Sequence, residues 1–471
     1  MLRRDSSTRA LARVTSITAF AATALAMPAP VLGHELVGRL DSPLPLAVYL
    51  AGAAMAVALS FAFVLLRDVK PPAPVEPRIV RAPGWLVVGI RAIGLIAWLW
   101  IVVQTIVGGT STASVATLFL WVYGWVGVAI LSAFVGPVWR WLDPFSTLYD
   151  IGAAAARRLG IGGWAPATYP AWLDAWPAAA GMVFFVGLEL VYRGNDVGAV
   201  LIAYTALTLL GMANFGRTAW RSRAETFTVW FGLLNRMAPF APAPGDDPRL
   251  LVRRPFGAGL ISGDWSTARL VIVTIGVASI LFDGLSQTQI WFDVFGFPAM
   301  PIATLELLVF LGIVIGVAIL VARAVGLGAV GAGLLPIAIG YLVAHYLTYL
   351  LGDGQLLVVA LSDPLQLGWD LLGTAFYEPN LGWIPPVAIW TLMLLGVVGG
   401  HMVGAWSGHV VASQSTAGEA RRAARIRQIP LAFLMVGLTA TTLWSLGQAI
   451  VRETPPAAAS PSAASVSLTS G

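Results

Sequence analysis

The sequence predicts an all-α fold: a polytopic transmembrane helix bundle of about ten spans that follows a cleaved signal peptide. Three observations predict it. Hydrophobic residues make up 58% of the 471-residue chain and charged ones 11%, against about 25% charged in a soluble domain. Apolar stretches of roughly 20 residues, enough to cross a bilayer core, recur along the chain. The basic residues also alternate between successive connections in the way that orients spans in a membrane.

The elements follow in order. Arg3, Arg4, Arg9 and Arg13 precede an apolar run, Val14 to Met27, and then small residues up to Gly33, the pattern of a secretory signal over 1–33. Cleavage there makes His34 the mature N-terminus on the periplasmic side. Spans are expected near 46–66, 86–107, 117–137, 176–192, 198–215, 268–285, 302–322, 328–350, 384–411 and 429–450, a transmembrane domain over 34–452. With the mature N-terminus outside, 20 of the 28 Lys and Arg residues fall on the inside and three, Arg39, Arg193 and Arg452, on the outside. Such a bias marks a multi-pass inner-membrane protein with both mature termini outside.

Two inside segments are expected at the interface. Segment 138–170 carries Trp139, Trp141, Phe145 and Tyr149 as aromatic anchors. Segment 216–267 contains an apolar stretch, 225–240, too short to span, which lies in the interface or re-enters; a Pro-rich turn with Asp246 and Asp247 follows it. Arg91, two turns into its span, is expected to snorkel to the headgroups. Gly396, Gly400, Gly404 and Gly408 make a smooth ridge for a close neighbour. The tail 453–471 is Ala/Ser/Pro-rich and reads as disordered. No internal repeat stands out, so the inverted-repeat signature of many transporters is missing.

Several chemistries are excluded. The chain has no cysteine, hence no disulfide, thiolate ligand or Cys nucleophile. Lys70 is the only lysine and no Gly-rich loop precedes it, so there is no P-loop. H-E-x-x-H and G-x-S-x-G are absent. The arginines sit in short connections, not on a basic domain, which argues against nucleic acid as a partner.

Ionisable groups inside spans are expensive and are functional candidates. Four share a depth in the outer leaflet: Glu189, Asp283, Glu306 and His345, on four different helices. His34 lies on the same side. Three carboxylates with one or two imidazoles suit a divalent transition metal or a proton relay. The competing reading leaves each group facing the headgroups alone, with Glu189 paired to Arg193 four residues on. His401 and His409, eight residues apart on one helix, differ by about 12 Å in height and cannot readily share an ion.

Several stretches resemble the bacterial multi-spanning membrane proteins known as fenitrothion hydrolases, an organophosphate-hydrolase group. They are HELVGRLDSPLP at 34–45, WRWLDPFSTLYD at 139–150, LELVYR at 188–193, NFGRTAWRSRAETFTVWFGLLNRMAPF at 214–240, LFDG at 281–284, AHYL at 344–347 and the GH pairs at 400–401 and 408–409. The resemblance implies phosphotriester hydrolysis and assigns no catalytic residues. It includes His34, Glu189, Asp283 and His345 but not Glu306. Three functions remain open. A metal-dependent hydrolase would act on a lipophilic phosphotriester, its bound ion activating water. A transporter or metal-handling permease would use the same groups for an ion or proton. A non-catalytic envelope protein would merely pack them against membrane-protein partners.

Overall fold

The computed structural model describes residues 78–446 except 110–113, 162–164, 193, 195, 246, 262 and 416–420, together with Met55, Leu59 and Ser60; of 415, 421–425, 443 and 446 only the backbone is described. The expected signal peptide, the first span, His34, Arg193 and the tail therefore lie outside the described residues, apart from those three positions of the first span.

Apolar sequence with few breakers forms helices because the bilayer leaves backbone groups no other partners. In chain order these are α1 (Gly84–Val107), α2 (Val115–Phe134), α3 (Pro144–Arg158), α4 (Trp176–Leu190), α5 (Val197–Phe215), α6 (Arg217–Arg223), α7 (Thr226–Leu234), α8 (Thr267–Ser286), α9 (Gln289–Phe295), α10 (Met300–Val325), α11 (Leu327–Gly352), α12 (Pro386–Ser415) and α13 (Arg421–Leu446). Eight helical stretches among the described residues are long and apolar enough to cross a membrane, and they coincide with the second to ninth expected spans. The tenth is the helix α13, whose apolar part, Ile426–Thr442, is shorter. The protein is an all-α, multi-pass membrane bundle.

The layers follow from burial. α8 is enclosed on nearly every side, from Ala268 to Asp283. α1 and α10 are peripheral and expose rows of large apolar side chains, among them Val88, Ile96, Val103, Ile313 and Leu320. In water such surfaces would be a liability; against lipid tails they cost nothing.

The glycine ridge of α12 does what its spacing predicts. A Cβ on Gly400 would sit 2.6 Å from the Pro336 carbonyl oxygen, one on Gly404 2.4 Å from that of Gly333, and one on Gly340 2.2 Å from that of Gly396. Backbone thus lies on backbone along α11 and α12. Pro336 has no N–H, which frees the carbonyl of Ala332. Ser407 of α12 donates to that oxygen at 2.7 Å.

Two features, the winding of one helix and a small sheet, depart from expectation. α2 is wound as a π-helix over Leu118–Val128, a rare geometry; a Cβ on Gly124 would meet the Phe119 carbonyl oxygen, five residues back, at 2.8 Å. Apolar composition carries no sign of that winding. The stretch 225–240 of segment 216–267, expected in the interface or re-entrant, forms α7, which is buried along most of its length, and its Trp230 fills the space beneath Gly276 of α8. The same segment supplies two strands. With β1 (Arg78–Arg81), β2 (Phe240–Pro242) and β3 (Leu250–Arg253) make an antiparallel sheet in the order β1-β3-β2. Asp247, in the expected turn, holds it together by accepting from Arg81 at 3.0 Å and from the Arg249 amide at 2.9 Å. Arg91 reaches Asp150 of α3 at 2.9 Å.

Candidate functional site: a histidine–carboxylate cluster

Helix direction brings the candidate residues to one end of the bundle. Glu189 lies in the last turn of α4, Asp283 in the last turn of α8, and His345 two turns before the end of α11. α4 and α11 both pack against the central α8. Asp283 and His345 meet: His345 Nε2 lies 2.7 Å from Asp283 Oδ2, and both side chains are under 10% exposed. Gln287, one turn beyond Asp283 on the same helix face, donates to its Oδ1 at 2.7 Å.

Glu189 joins through a phenol. The Tyr346 hydroxyl lies 3.4 Å from Asp283 Oδ2 and also within hydrogen-bonding reach of Glu189. A hydroxyl has one proton to give, so Tyr346 serves one carboxylate fully at a time. Glu189 is buried, and its Oε2 has no hydrogen-bond partner among the described residues. The cluster runs Glu189–Tyr346–Asp283–His345, with Gln287 at its side.

Glu306 does not take part. It sits half-buried on the flank of α10, between exposed Leu305 and buried Leu307, with no hydrogen bond or ion pair among the described residues. No contact joins it to Glu189, Asp283 or His345 among the described residues, so shared depth did not mean shared space. Among the described residues no three His, Asp or Glu side chains gather so as to hold a metal ion. The expected set of three carboxylates and an imidazole is therefore not assembled there; His34 lies outside the described residues.

Sequence reasoning passed over Tyr346 and Gln287. Gln287 was legible as the i,i+4 partner of Asp283. Tyr346 could be picked out only once α4 and α11 were known to flank α8.

A second polar cluster occupies the opposite end. Asp143 caps α3, accepting from the amides of Phe145 and Ser146, and pairs with Arg221 at 2.9 Å. Glu225 caps α7 through the amides of Phe227 and Thr228 and accepts from the Tyr204 hydroxyl at 2.6 Å. Burial, and then the nearby charge of Asp143, push the Glu225 carboxyl above its ordinary range. Both are helix N-caps, and D-P-F-S is a readable capping signature.

Comparison with protein-family models, with curated proteins and with solved structures gave no match for the chain.

Proposed function

We propose that this chain is a proton-handling permease of a bacterial inner membrane, in which Asp283 and His345 bind and release the proton that drives movement of a solute or ion. One observation carries the reading: the 2.7 Å contact between His345 Nε2 and Asp283 Oδ2, deep among apolar helices. Placing a titratable pair there is costly, and such pairs mark proton and ion routes. Tyr346 and Glu189 extend the chain of exchangeable protons from α11 and α8 to α4. The charge alternation supports an outer-leaflet location that opens toward the periplasm.

The test is proton flux. Purified full-length protein in vesicles with an internal pH-sensitive dye is expected to carry protons down an imposed gradient. Asp283→Asn, of the same shape, is expected to reduce this to the level of empty vesicles. Wild-type vesicles no leakier to protons than empty ones would overturn the reading.

A second reading is favoured by the same contact. A carboxylate that orients an imidazole makes a general base able to take a proton from water. With the resemblance to fenitrothion hydrolases, that base would activate water toward a phosphotriester: the water oxygen bonds phosphorus, the aryloxide leaves, and the proton passes to His345. Turnover of a chromogenic phosphotriester without proton flux, lost in His345→Gln, would favour this reading over the first.

A further inference from the structure

α8 starts at Thr267 and carries Asp283 in its last turn, so residues beside its first turn lie at the far end of the bundle from the histidine–carboxylate cluster. Three arginines gather there: Arg236 after α7, Arg254 after β3, and Arg269 in the first turn of α8. One carboxylate serves two of them. Asp264 accepts from Arg236 Nη2 at 3.4 Å and pairs with Arg269. Its side chain is 80% exposed, whereas those of Arg236 and Arg269 are 14% and 21% exposed. Arg254 meets neutral acceptors instead: its Nε and Nη2 donate to the Ala238 and Asn235 carbonyls at 3.1 and 2.6 Å.

Arg236 is the least satisfied of the three. Its guanidinium lies 4.4 Å over the Trp265 ring, and its Nη1 is buried with no hydrogen-bond partner among the described residues. The indole Nε1 of Trp265 is buried without one as well. Burial, only partly offset by the Asp264 carboxylate and reinforced by the charges of Arg269 and Arg254, brings the Arg236 guanidinium down to about 10. A buried cationic donor without an acceptor is costly, and a further negative charge would relieve that cost.

The surrounding loop leaves room for one. A Cβ on Gly263 would lie 2.5 Å from Arg236 Nη1, and one on Gly259 2.6 Å from Arg254 Nη1, so bare backbone faces the guanidiniums. An apolar rim adjoins them. Phe256, two residues beyond Arg254, is half-exposed and stacks on Phe134 at the end of α2, ring centroids 5.9 Å apart. Leu131 and Val135 beside Phe134 are exposed too. Tethering of the turn after α7 accounts for Arg254. It gives no reason for Arg236 and Arg269 to share one solvent-exposed acid while a buried donor goes unpaired.

We propose that Arg236, Arg269 and Arg254 form a binding site for a phosphate group, which displaces the Asp264 carboxylate and takes up the forked donors of the first two arginines. The apolar rim fits a phospholipid, its headgroup phosphate on the arginines and its acyl chains against Phe134 and Phe256. A soluble phosphate has no use for that rim. Asp264 is then a competitor that holds the arginines when the ligand is away. The site is remote from Asp283 and His345 and stands apart from the proton-handling reading.

The experiment titrates the full-length chain, in an uncharged detergent, with phosphatidylglycerol, with phosphatidylcholine and with inorganic phosphate. Native mass spectrometry counts the bound molecules and thermal melts follow stability. One phosphatidylglycerol is expected to be retained and to raise the melting temperature, while the other two have little effect. Arg236→Gln is expected to weaken its binding roughly fivefold or more, and Asp264→Asn to strengthen it, a gain that a merely structural acid would not give. An equal shift with inorganic phosphate would overturn the lipid as the source and keep the phosphate site. Equal retention of phosphatidylcholine, or phosphatidylglycerol binding unchanged in folded Arg236→Gln, would overturn the site itself. Should Arg236→Gln fail to fold, Asp264→Asn decides: binding no tighter than in the wild type overturns the proposal.

Discussion

The two ends of the bundle bury acidic side chains in opposite ways. At one end, Asp143 and Glu225 each close the first turn of a helix, and each has a further partner in Arg221 or Tyr204. The fold accounts for both: without them, orphan amides at the starts of α3 and α7 would lack acceptors. At the other end, Glu189 and Asp283 cap no helix. Their partners include an imidazole, an amide and one phenol placed between them, and one Glu189 oxygen has no hydrogen-bond partner among the described residues. A buried acid with a full structural task explains itself by stability. A buried acid without one needs another explanation, and the proton exchange proposed above would supply it.

Mutation can break this contrast. Asp143→Ala strips a cap and leaves Arg221 without its carboxylate; a loss of about 3–5 kcal/mol is expected, read as a sharp fall in melting temperature or in folded yield. Gly404→Ala tests the seating of the helix that carries His345. Its new methyl meets the Gly333 carbonyl oxygen, which is backbone and cannot rotate away, so a loss of about 1–3 kcal/mol is expected in the same melt. Asp283→Asn keeps shape but turns one accepting oxygen into a donor, and should cost about 1–3 kcal/mol while abolishing proton flux. If Asp283→Asn destabilised the fold as much as Asp143→Ala, the two ends would not differ in kind.

The smallest effect concerns the sheet outside the spans. Hydrogen bonds from the Arg249 amide and guanidinium, and then Arg81, hold the Asp247 carboxyl at about 2, below the ordinary carboxylate value of about 3.9. A depressed folded value means that this support is complete above about pH 4 and is lost as the pH falls through about 2. Carboxyl carbon shifts followed by NMR should show that titration. Asp247→Asn should remove any acid-dependent loosening of β1 from β3. An Asp247 that titrates near 4 would sever the link between turn and sheet.

The spans were legible because lipid allows so few solutions: an apolar run of the right length has to be a helix. The depth of Glu189, Asp283 and His345 was legible for the same reason, since about 1.5 Å per residue converts position into height. Azimuth was not. Whether a residue at a given height faces a neighbour or the lipid depends on which helices are adjacent, and for that reason Glu306 was grouped wrongly with the other three. The sheet escaped because its strands are three or four residues long and one of them precedes α1 by only two residues. The glycine ridge, by contrast, was read correctly, since close approach needs only the absence of side chains.

The ridge also bears on how the molecule could move. Two helices whose main chains touch over several turns share one rigid body, so α11 and α12 would swing together. His345, Tyr341 and His401 ride on that plank, while Asp283 and Glu189 belong to its neighbours. A rocking motion would therefore leave the contact of Tyr341 with His401 intact and part His345 and Tyr346 together from the carboxylates of Asp283 and Glu189.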